Sequence, residues 1–122
     1  MRVERELMRG AGPVAVLKLL EQAEMYGYEL VQALAERSGG ILAMGQSTLY
    51  PLLYNLEAKG FVASRWVTPA TGRRRKYYTL TDRGRRRLAE DTEQWCRLTS
   101  AMTALGIVGD ATGAPRGTGV PA

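Results

Sequence analysis

The chain has 122 residues, enough for one modest domain, and its hydrophobic fraction of 45% and charged fraction of 24% are ordinary for a globular protein. It contains no histidine and a single cysteine, Cys96. The commonest general base, the commonest metal ligand and any thiolate cluster are therefore missing, so we expect no catalytic site, no metal and no cofactor. No apolar stretch approaches the ~20 residues of a membrane span. The N-terminus also lacks the apolar core of a secretory signal, so we expect a cytoplasmic protein.

The positive charge is concentrated in one part of the sequence. The formal net charge is +5, and between residues 73 and 87 eight Lys or Arg side chains face a single acid, Asp82. A basic patch on a nearly neutral body is typical of a protein that binds a polyanion. A solvated surface run is the alternative explanation.

The N-terminal third predicts helices. Residues 2–9 predict a brief helix and 10–12 a break, after which Pro13 suits the first position of a buried apolar helix that runs to about residue 23. A further helix opens with the segment 26–30 and stops at 39–40, where two glycines stand. The apolar link 41–45 has the composition of a short strand.

The segment 47–60 predicts a short helix with two different faces. One face carries leucines at three- and four-residue spacing: Leu49, Leu52, Leu53 and Leu56. The other carries hydroxyls, rings, an amide and a cation, without a carboxylate: Ser47, Thr48, Tyr50, Tyr54, Asn55 and Lys59. Ser47 suits the N-cap. Such a helix fits the major groove of DNA, although Tyr50 and Tyr54 could instead pack and Lys59 could serve the helix dipole.

Two strands should follow this helix. Residues 61–67 and 76–80 have strand composition, and 68–72 is turn chemistry. The tip and second strand of the hairpin then carry the cations of 73–76, which can grip phosphates or enter a narrow minor groove. The predicted fold is mainly α with a small β-hairpin: a winged helix-turn-helix followed by a C-terminal dimerisation helix.

The last predicted helix begins after Thr81 and Asp82, which suit its N-terminal cap. Residues on one face recur at helical spacing: Leu88, Thr92, Trp95, Leu98, Thr99, Met102 and Leu105. A lone helix needs a partner for such a stripe, and a copy from a second subunit would cover it. We therefore predict a DNA-binding domain over 1–80, a dimerisation helix over 81–105 and a disordered Gly/Pro-rich tail over 106–122.

Four segments in this order resemble the PadR family of bacterial transcriptional regulators. They are 26–30 (Tyr-Gly-Tyr-Glu-Leu), 48–53 (Thr-Leu-Tyr-Pro-Leu-Leu), 56–60 (Leu-Glu-Ala-Lys-Gly) and 72–81 (Gly-Arg-Arg-Arg-Lys-Tyr-Tyr-Thr-Leu-Thr). The resemblance implies a winged helix-turn-helix, and a homodimer built through the C-terminal helix with help from the N-terminal one. It also implies repression at a palindromic operator, relieved by a small molecule. The single C-terminal helix resembles the compact branch of the family.

The resemblance also implies roles for particular residues. Those expected at DNA are Tyr26 at a phosphate, Gln46, Ser47, Thr48, Tyr50 and Asn55 at bases or backbone, and Gly72, Arg73, Arg74, Arg75 and Lys76 along the flanking groove. Those expected at the dimer interface are Leu88, Thr92, Trp95, Leu98, Met102 and Leu105.

A ligand site is implied around Trp95. In multidrug-sensing members of the family a matching tryptophan meets its symmetry mate, and flat aromatic compounds stack between the rings. Met8 would line the same cavity. Thr99 is neutral where such sensors carry an acid, which removes the reason to expect cationic ligands. The alternative is that Trp95 only fills the dimer core.

We therefore expect a sequence-specific DNA-binding regulator that acts as a repressor. One alternative is a small-molecule-binding or protein-adaptor dimer whose basic hairpin contacts an acidic partner. A second is a protein that coats DNA without sequence preference. A third is an enzyme, which would need carboxylates that converge in a pocket.

Overall fold

The computed structural model describes residues 3–109. The elements in chain order are α1 (Arg5–Gln22), β1 (Met25–Tyr26), α2 (Gly27–Arg37), α3 (Gln46–Ala58), β2 (Val62–Val67), β3 (Arg75–Leu80) and α4 (Asp82–Ala104). The chain divides between Leu88 and Ala89 into two compact units. Of the predicted tail, residues 110–122 lie outside the described residues. None of the described helices has the length and apolar character needed to cross a membrane.

The N-terminal segment is one helix, and the predicted break at 10–12 was wrong. α1 continues through both glycines and holds Pro13 in its interior. Gly12 is buried, and a Cβ there would stand 3.2 Å from Leu52 Cδ1 and 3.4 Å from Met44 Cε. The glycine allows close approach of α1 to α3, so packing outweighs the low helix propensity of glycine and proline.

The N-terminus of α2 is capped by the side chain of Glu29, a residue of the same helix. The backbone N–H of Tyr26 donates to Glu29 Oε1 at 3.2 Å, as in a capping box. Gly39 and Gly40 both have positive φ, which confirms the predicted stop. The apolar link 41–45 begins in a turn at residues 41–42 and has no regular structure over 43–45, so the short strand that its composition suggested was wrong.

The leucines of α3 build the centre of the first unit. Leu49 and Leu53 are completely buried and Leu56 nearly so, together with Val16 and Leu17 of α1. α3 begins at Gln46 with Gly45 as its N-cap, so the prediction that Ser47 caps the helix was wrong. Ser47 lies in the first helical turn, where its side chain is exposed.

The sheet has three antiparallel strands in the order β1-β3-β2. The predicted hairpin is formed by β2 and β3, with Trp66 opposite Lys76. β1 is an added short strand that pairs Met25 with Tyr78 and that sequence analysis did not predict. It is only two residues long, too short to give a pattern of alternation.

The first turn of α4 is fixed to the end of α3. Thr81 Oγ1 accepts from the backbone N–H of Gly84 at 2.9 Å and donates to the Gly60 carbonyl at 2.7 Å. This is the predicted N-terminal cap. Leu88, two turns on, completes the core. The fold is thus mainly helical, with a small wing sheet and a long C-terminal helix, as the sequence predicted.

Candidate nucleic-acid interface

The polar face of α3 is presented to solvent. Because the leucine face is buried, Gln46, Ser47, Thr48 and Asn55 are exposed. Within residues 3–109 no intramolecular hydrogen bond occupies these four side chains. Their amide and hydroxyl groups are therefore free to meet the edges of bases or phosphate oxygens.

Tyr50 is fixed in place beside this face. Its ring lies so close to Gly27 that a Cβ at position 27 would stand 2.8 Å from Tyr50 Cζ. On its other side it stacks with Tyr54 at 6.1 Å between centroids and 27° between planes. Tyr50 is half-buried, whereas Tyr54 is exposed, which answers the open question of whether Tyr54 packs in the core.

The wing tip carries three exposed arginines, Arg73, Arg74 and Arg75. Arg74 Cζ lies 4.5 Å from the Trp66 ring centroid, and Arg75 Cζ lies 4.7 Å from that of Tyr26. A guanidinium held by its face against a ring keeps its edge N–H donors available for a phosphate. Gly72, at φ +99°, turns the chain into this tip.

Lys76 differs from the three arginines because it is turned toward α3. Its Nζ lies 5.5 Å from the Tyr54 ring, 5.9 Å from Trp66 and 3.8 Å from Glu57 Oε1. Glu57 also accepts a hydrogen bond from Ser64 Oγ. Lys76 and Glu57 therefore tie the wing to α3, and sequence analysis had placed Lys76 only among the DNA contacts.

The basic run of the sequence is divided by the fold into two clusters. One is the wing tip, and the other is the start of α4, where Arg83 and Arg87 lie over Phe61 at 5.6 and 5.3 Å. Residues 77–82 lie between Lys76 and Arg83, and the first four of them belong to β3. Only the wing-tip cluster borders the same concave surface as Gln46, Tyr50 and Tyr26.

Other predicted DNA residues lie apart from that surface. Thr48 borders a separate cavity of about 170 Å³ with Met8, Met44 and Arg5. Ser47 and Asn55 do not border the concave surface either, and they remain on the exposed side of α3. The interface as described is thus a helix face with an adjoining cationic wing.

Two groups have shifted pKa values here. Burial raises the pKa of Tyr78 to about 12, with a further contribution from the neighbouring Tyr54. Tyr78 Oη is enclosed and has no hydrogen-bond partner among the described residues. On β2, the side-chain hydrogen bond with Glu24 raises the pKa of Arg65, and Arg65 Nε donates to Glu24 Oε2 at 3.1 Å.

Most of the residues implied for dimerisation and ligand binding lie on α4. In the second unit the side chains of Trp95, Leu98 and Leu105 are exposed in the single chain. Thr99 is exposed as well, and its carbonyl accepts from Thr103 Oγ1 at 2.8 Å. Met8 packs against the core of the first unit. Among residues 3–109, no cluster of His, Cys, Asp and Glu has the size and arrangement to hold a metal ion.

Sequence reasoning missed three residues that shape the interface: Gly27, Glu57 and Trp66. The signal for Trp66 was available, because pairing the two predicted strands places it directly across from Lys76. Gly27 and Glu57 act through contacts between elements distant in sequence, for which a single sequence carries no local pattern.

Comparison with known proteins places this geometry in a family. Residues 16–90 match the transcriptional regulator PadR-like family. The transcriptional regulator Rv3488 of Mycobacterium tuberculosis is 38% identical over 87 residues, which are 71% of this chain and 78% of that protein. A crystal structure of a PadR family regulator from Eggerthella lenta is 41% identical, with a TM-score of 0.72 over 82% of this chain and 85% of that one.

The structure of a third relative has been determined in complex with operator DNA. PadR of Bacillus subtilis, described as a negative transcriptional regulator, is 35% identical over 74 residues, which are 61% of this chain and 41% of that protein. Its structure in complex with operator DNA matches with a TM-score of 0.60 and 32% identity, over 66% of this chain and 46% of that one. With a winged helix-turn-helix, a free polar helix face beside a cationic wing, and these relatives, this chain belongs to the PadR-like family of DNA-binding transcriptional regulators and is not an enzyme.

Proposed function

We propose that this protein is a homodimeric repressor that reads a palindromic operator with α3 and grips the flanking phosphates with its wing. The observation that carries the proposal is the pairing of the unoccupied polar face of α3 with three exposed wing arginines, of which Arg74 and Arg75 lie over aromatic rings. Phosphate contacts supply affinity, whereas contacts to base edges supply specificity. The description of the Bacillus subtilis relative as a negative regulator supports the repressive sense of the response.

The contact residues proposed at DNA are Tyr26, Gln46, Ser47, Thr48, Tyr50, Asn55 and residues 72–75. Lys76 acts in this proposal mainly by holding the wing against α3. Residues 1–80 form the DNA-binding part, 81–105 the dimerisation helix and 106–122 a tail. The site of action is the cytoplasm, where bacterial DNA is found.

The dimer follows from the apolar stripe of the second unit. Leu98 is 48% exposed and Leu105 74% exposed, and exposed apolar side chains at helical spacing need a covering surface. A second copy of α4 supplies that surface, with Thr92, Trp95, Leu98, Met102 and Leu105 at the interface, whereas Leu88 is already buried in the core of the first unit. Two α3 helices on one dimer axis then match the two halves of a palindrome.

The proposed inducer is a flat aromatic compound that stacks on Trp95 at the dimer axis. Thr99 would lie one helical turn further along the same face, and Met8 would supply an adaptable wall. A neutral Thr99 gives no reason to favour a cationic compound. In this proposal binding of the ligand releases the operator.

The test is a fluorescence-anisotropy titration of the duplex upstream of the protein's own gene against a scrambled duplex, at two salt concentrations. We expect much tighter binding to the native duplex that persists at the higher salt. Equal binding to both that collapses with salt would contradict the proposal and leave only a polyanion surface. An acidic protein partner would then be the next candidate.

Two variants with equal charge loss sharpen this test. Arg74→Ala with Arg75→Ala should weaken binding to both duplexes. It should also reduce the slope of log K against log salt concentration by about the amount expected for two phosphate contacts. Arg85→Ala with Arg86→Ala removes the same charge from the other basic cluster and should change the salt slope less. Equal slopes for the two double variants would show that net charge alone matters. In addition, Thr48→Ala should reduce discrimination between the native and scrambled duplexes.

A further inference from the structure

An open basin lies between α3 and the wing. Its volume is about 730 Å³, and its walls carry aromatic rings together with the wing cations. Tyr54 and Trp66 stand on its sides and Tyr78 forms part of its lining. Ligand pockets in proteins commonly span about 300–1,000 Å³, so the basin is large enough for a molecule of moderate size.

The ring surface of this basin exceeds what a duplex can use. Trp66 and Tyr54 are each 54% exposed, and Tyr28 is 50% exposed. In a DNA duplex the faces of the bases are covered by their neighbours, so a protein reaches only base edges, sugars and phosphates. These half-exposed rings instead offer surface to a base that is not stacked in a helix, because every base presents a flat π surface.

The charges of the basin fit a phosphate. Arg73, Arg74, Arg75 and Lys76 all border it, and no carboxylate does within the part of the chain that the structure describes, although Glu57 Oε1 lies 3.8 Å from Lys76 Nζ. Arg74 Cζ lies 4.5 Å from the Trp66 centroid and covers one face of that ring, so a base stacked on Trp66 would use the opposite face. The basin therefore offers aromatic rings that can contact a base and, next to them, arginine N–H groups that can bind a phosphate.

A buried donor at the lining also lacks a partner. The side chain of Tyr78 is completely buried, and its hydroxyl makes no hydrogen bond within residues 3–109. Enclosed hydroxyls are nearly always bonded, because burying one unpaired costs free energy. This orphan group sits where the basin meets α3, next to Tyr50 and Tyr54.

We propose that the basin binds an unstacked nucleotide, with its base on the Trp66 and Tyr54 rings and its phosphate on the wing arginines. The nucleotide comes either from solution or from a single-stranded segment of nucleic acid. Gln46, Tyr50 and Arg74 border the basin and are also proposed operator contacts, so an occupied basin excludes the duplex. That regulatory consequence rests on the proposed operator function, whereas the binding itself does not.

The test uses Trp66 as its own reporter. In the Trp95→Phe variant Trp66 is the only tryptophan, and a base stacked on it should quench its emission. AMP and single-stranded (dT)6 are the probes, and adenosine, ribose 5-phosphate and pyrophosphate are the controls for ring or charge alone. We expect saturable quenching by AMP or (dT)6 at concentrations roughly tenfold below those of the controls.

The two probes also separate the two sources of the nucleotide. Quenching by AMP with little by (dT)6 identifies a free nucleotide, and the reverse identifies a single strand. Quenching by pyrophosphate at the same concentration as by AMP, or no quenching by either probe, would overturn the proposal.

Variants locate the binding in the basin. With a fluorescently labelled nucleotide, Tyr54→Leu should weaken binding about tenfold, whereas Tyr54→Phe, which keeps the ring, should retain it. Tyr78→Phe keeps the buried ring and removes only the orphan hydroxyl, so a loss of affinity there reports use of that group. Equal binding by Tyr54→Leu and Tyr54→Phe would place the nucleotide elsewhere.

The operator titration separates this inference from the proposed function. Operator discrimination without nucleotide binding overturns only the inference. Nucleotide binding without operator discrimination overturns only the proposed repressor role.

Discussion

Gly27 at the start of α2 supports the ring of Tyr50 in α3. A Cβ at position 27 would stand 2.8 Å from Tyr50 Cζ and 3.0 Å from Tyr50 Cε1, closer than side chains approach without displacement. The absence of a side chain at Gly27 thus sets where the Tyr50 hydroxyl stands at the edge of the polar helix face. The glycine is fully buried, so the ring and not solvent occupies this space.

Gly27→Ala should therefore reduce operator affinity by roughly tenfold while the fold survives. The obstacle is the end of a side chain, which can rotate away, rather than backbone. The operator anisotropy titration measures the loss, and thermal denaturation checks the fold.

Gly10→Ala is the matched control for Gly27→Ala. No atom lies within 4 Å of a Cβ at Gly10 in α1, so this change should only raise stability, by about 1 kcal/mol, through helix propensity. An unchanged operator affinity in Gly27→Ala would show that the position of Tyr50 does not matter for binding.

Substitution of Gly84 should lower the stability of the fold, in contrast to substitution of Gly27, which should lower operator affinity. A Cβ there would stand 2.9 Å from the backbone carbonyl carbon of Phe61 and 2.7 Å from Leu80 Cδ1. Backbone cannot rotate away as a side chain does, so Gly84→Ala should lower the free energy of unfolding by about 3 kcal/mol.

Thr81→Ala tests the same junction more gently. It removes the hydroxyl that accepts from the Gly84 N–H and should cost about 1 kcal/mol. Urea denaturation followed by circular dichroism measures both variants. A larger loss in Thr81→Ala than in Gly84→Ala would mean that the cap, and not the close approach, holds the start of α4.

The sequence was sufficient for the fold because its signals are local. The leucine spacing of α3, the two strand segments and the Thr81 cap each depend on a few neighbouring residues, and all three appear in the structure. The predicted break at Gly10–Gly12 failed because Gly12 serves the packing of α1 against Leu52, which local propensity does not report.

The residues of the candidate site were largely predictable from the sequence, but the contacts that connect its elements were not. The polar face and the arginines could be read directly, since both are consecutive or periodic in sequence. The link from Lys76 to Glu57 joins residues 19 positions apart on different elements, and only the folded chain brings them to 3.8 Å. For the same reason the single basic run in the sequence gave no sign that β3 would divide it.

Tyr78 predicts how stability depends on pH. Its pKa is raised to about 12 by burial, above the ordinary value of 10 that the unfolded chain retains. Between these two values the folded state keeps the proton that the unfolded state releases. The contribution of Tyr78 to stability is therefore fully present below pH 10 and is lost as the pH rises toward 12. The loss should reach roughly 2–3 kcal/mol, measured by urea denaturation in steps across that range.

Tyr78→Phe should remove most of this loss and shows whether the assignment is right. At pH 7 the same variant should be more stable by about 1 kcal/mol, because it deletes a buried hydroxyl without a partner. An equally steep fall above pH 10 in Tyr78→Phe would assign the effect to other tyrosines. A loss of stability at pH 7 would mean that the hydroxyl is satisfied in solution.

The proposed dimer makes Leu98 a sensitive position. A carboxylate placed in an apolar seam between two copies of α4 would be desolvated without a partner, so Leu98→Glu should shift the protein toward monomer. Ser100→Glu introduces the same charge about 200° around the helix, on the side away from the stripe, and should leave the dimer intact. Analytical ultracentrifugation across a concentration series measures both.

The operator titration then connects assembly to function. A monomer contacts only half of a palindrome, so Leu98→Glu should lose affinity for the full operator but keep nearly the same affinity for a half-site duplex. Ser100→Glu should bind both duplexes as the unaltered protein does. If both variants sediment alike, the interface lies on another face. If Leu98→Glu becomes monomeric yet binds the full operator unchanged, one copy of the winged domain is sufficient and the palindromic reading is wrong.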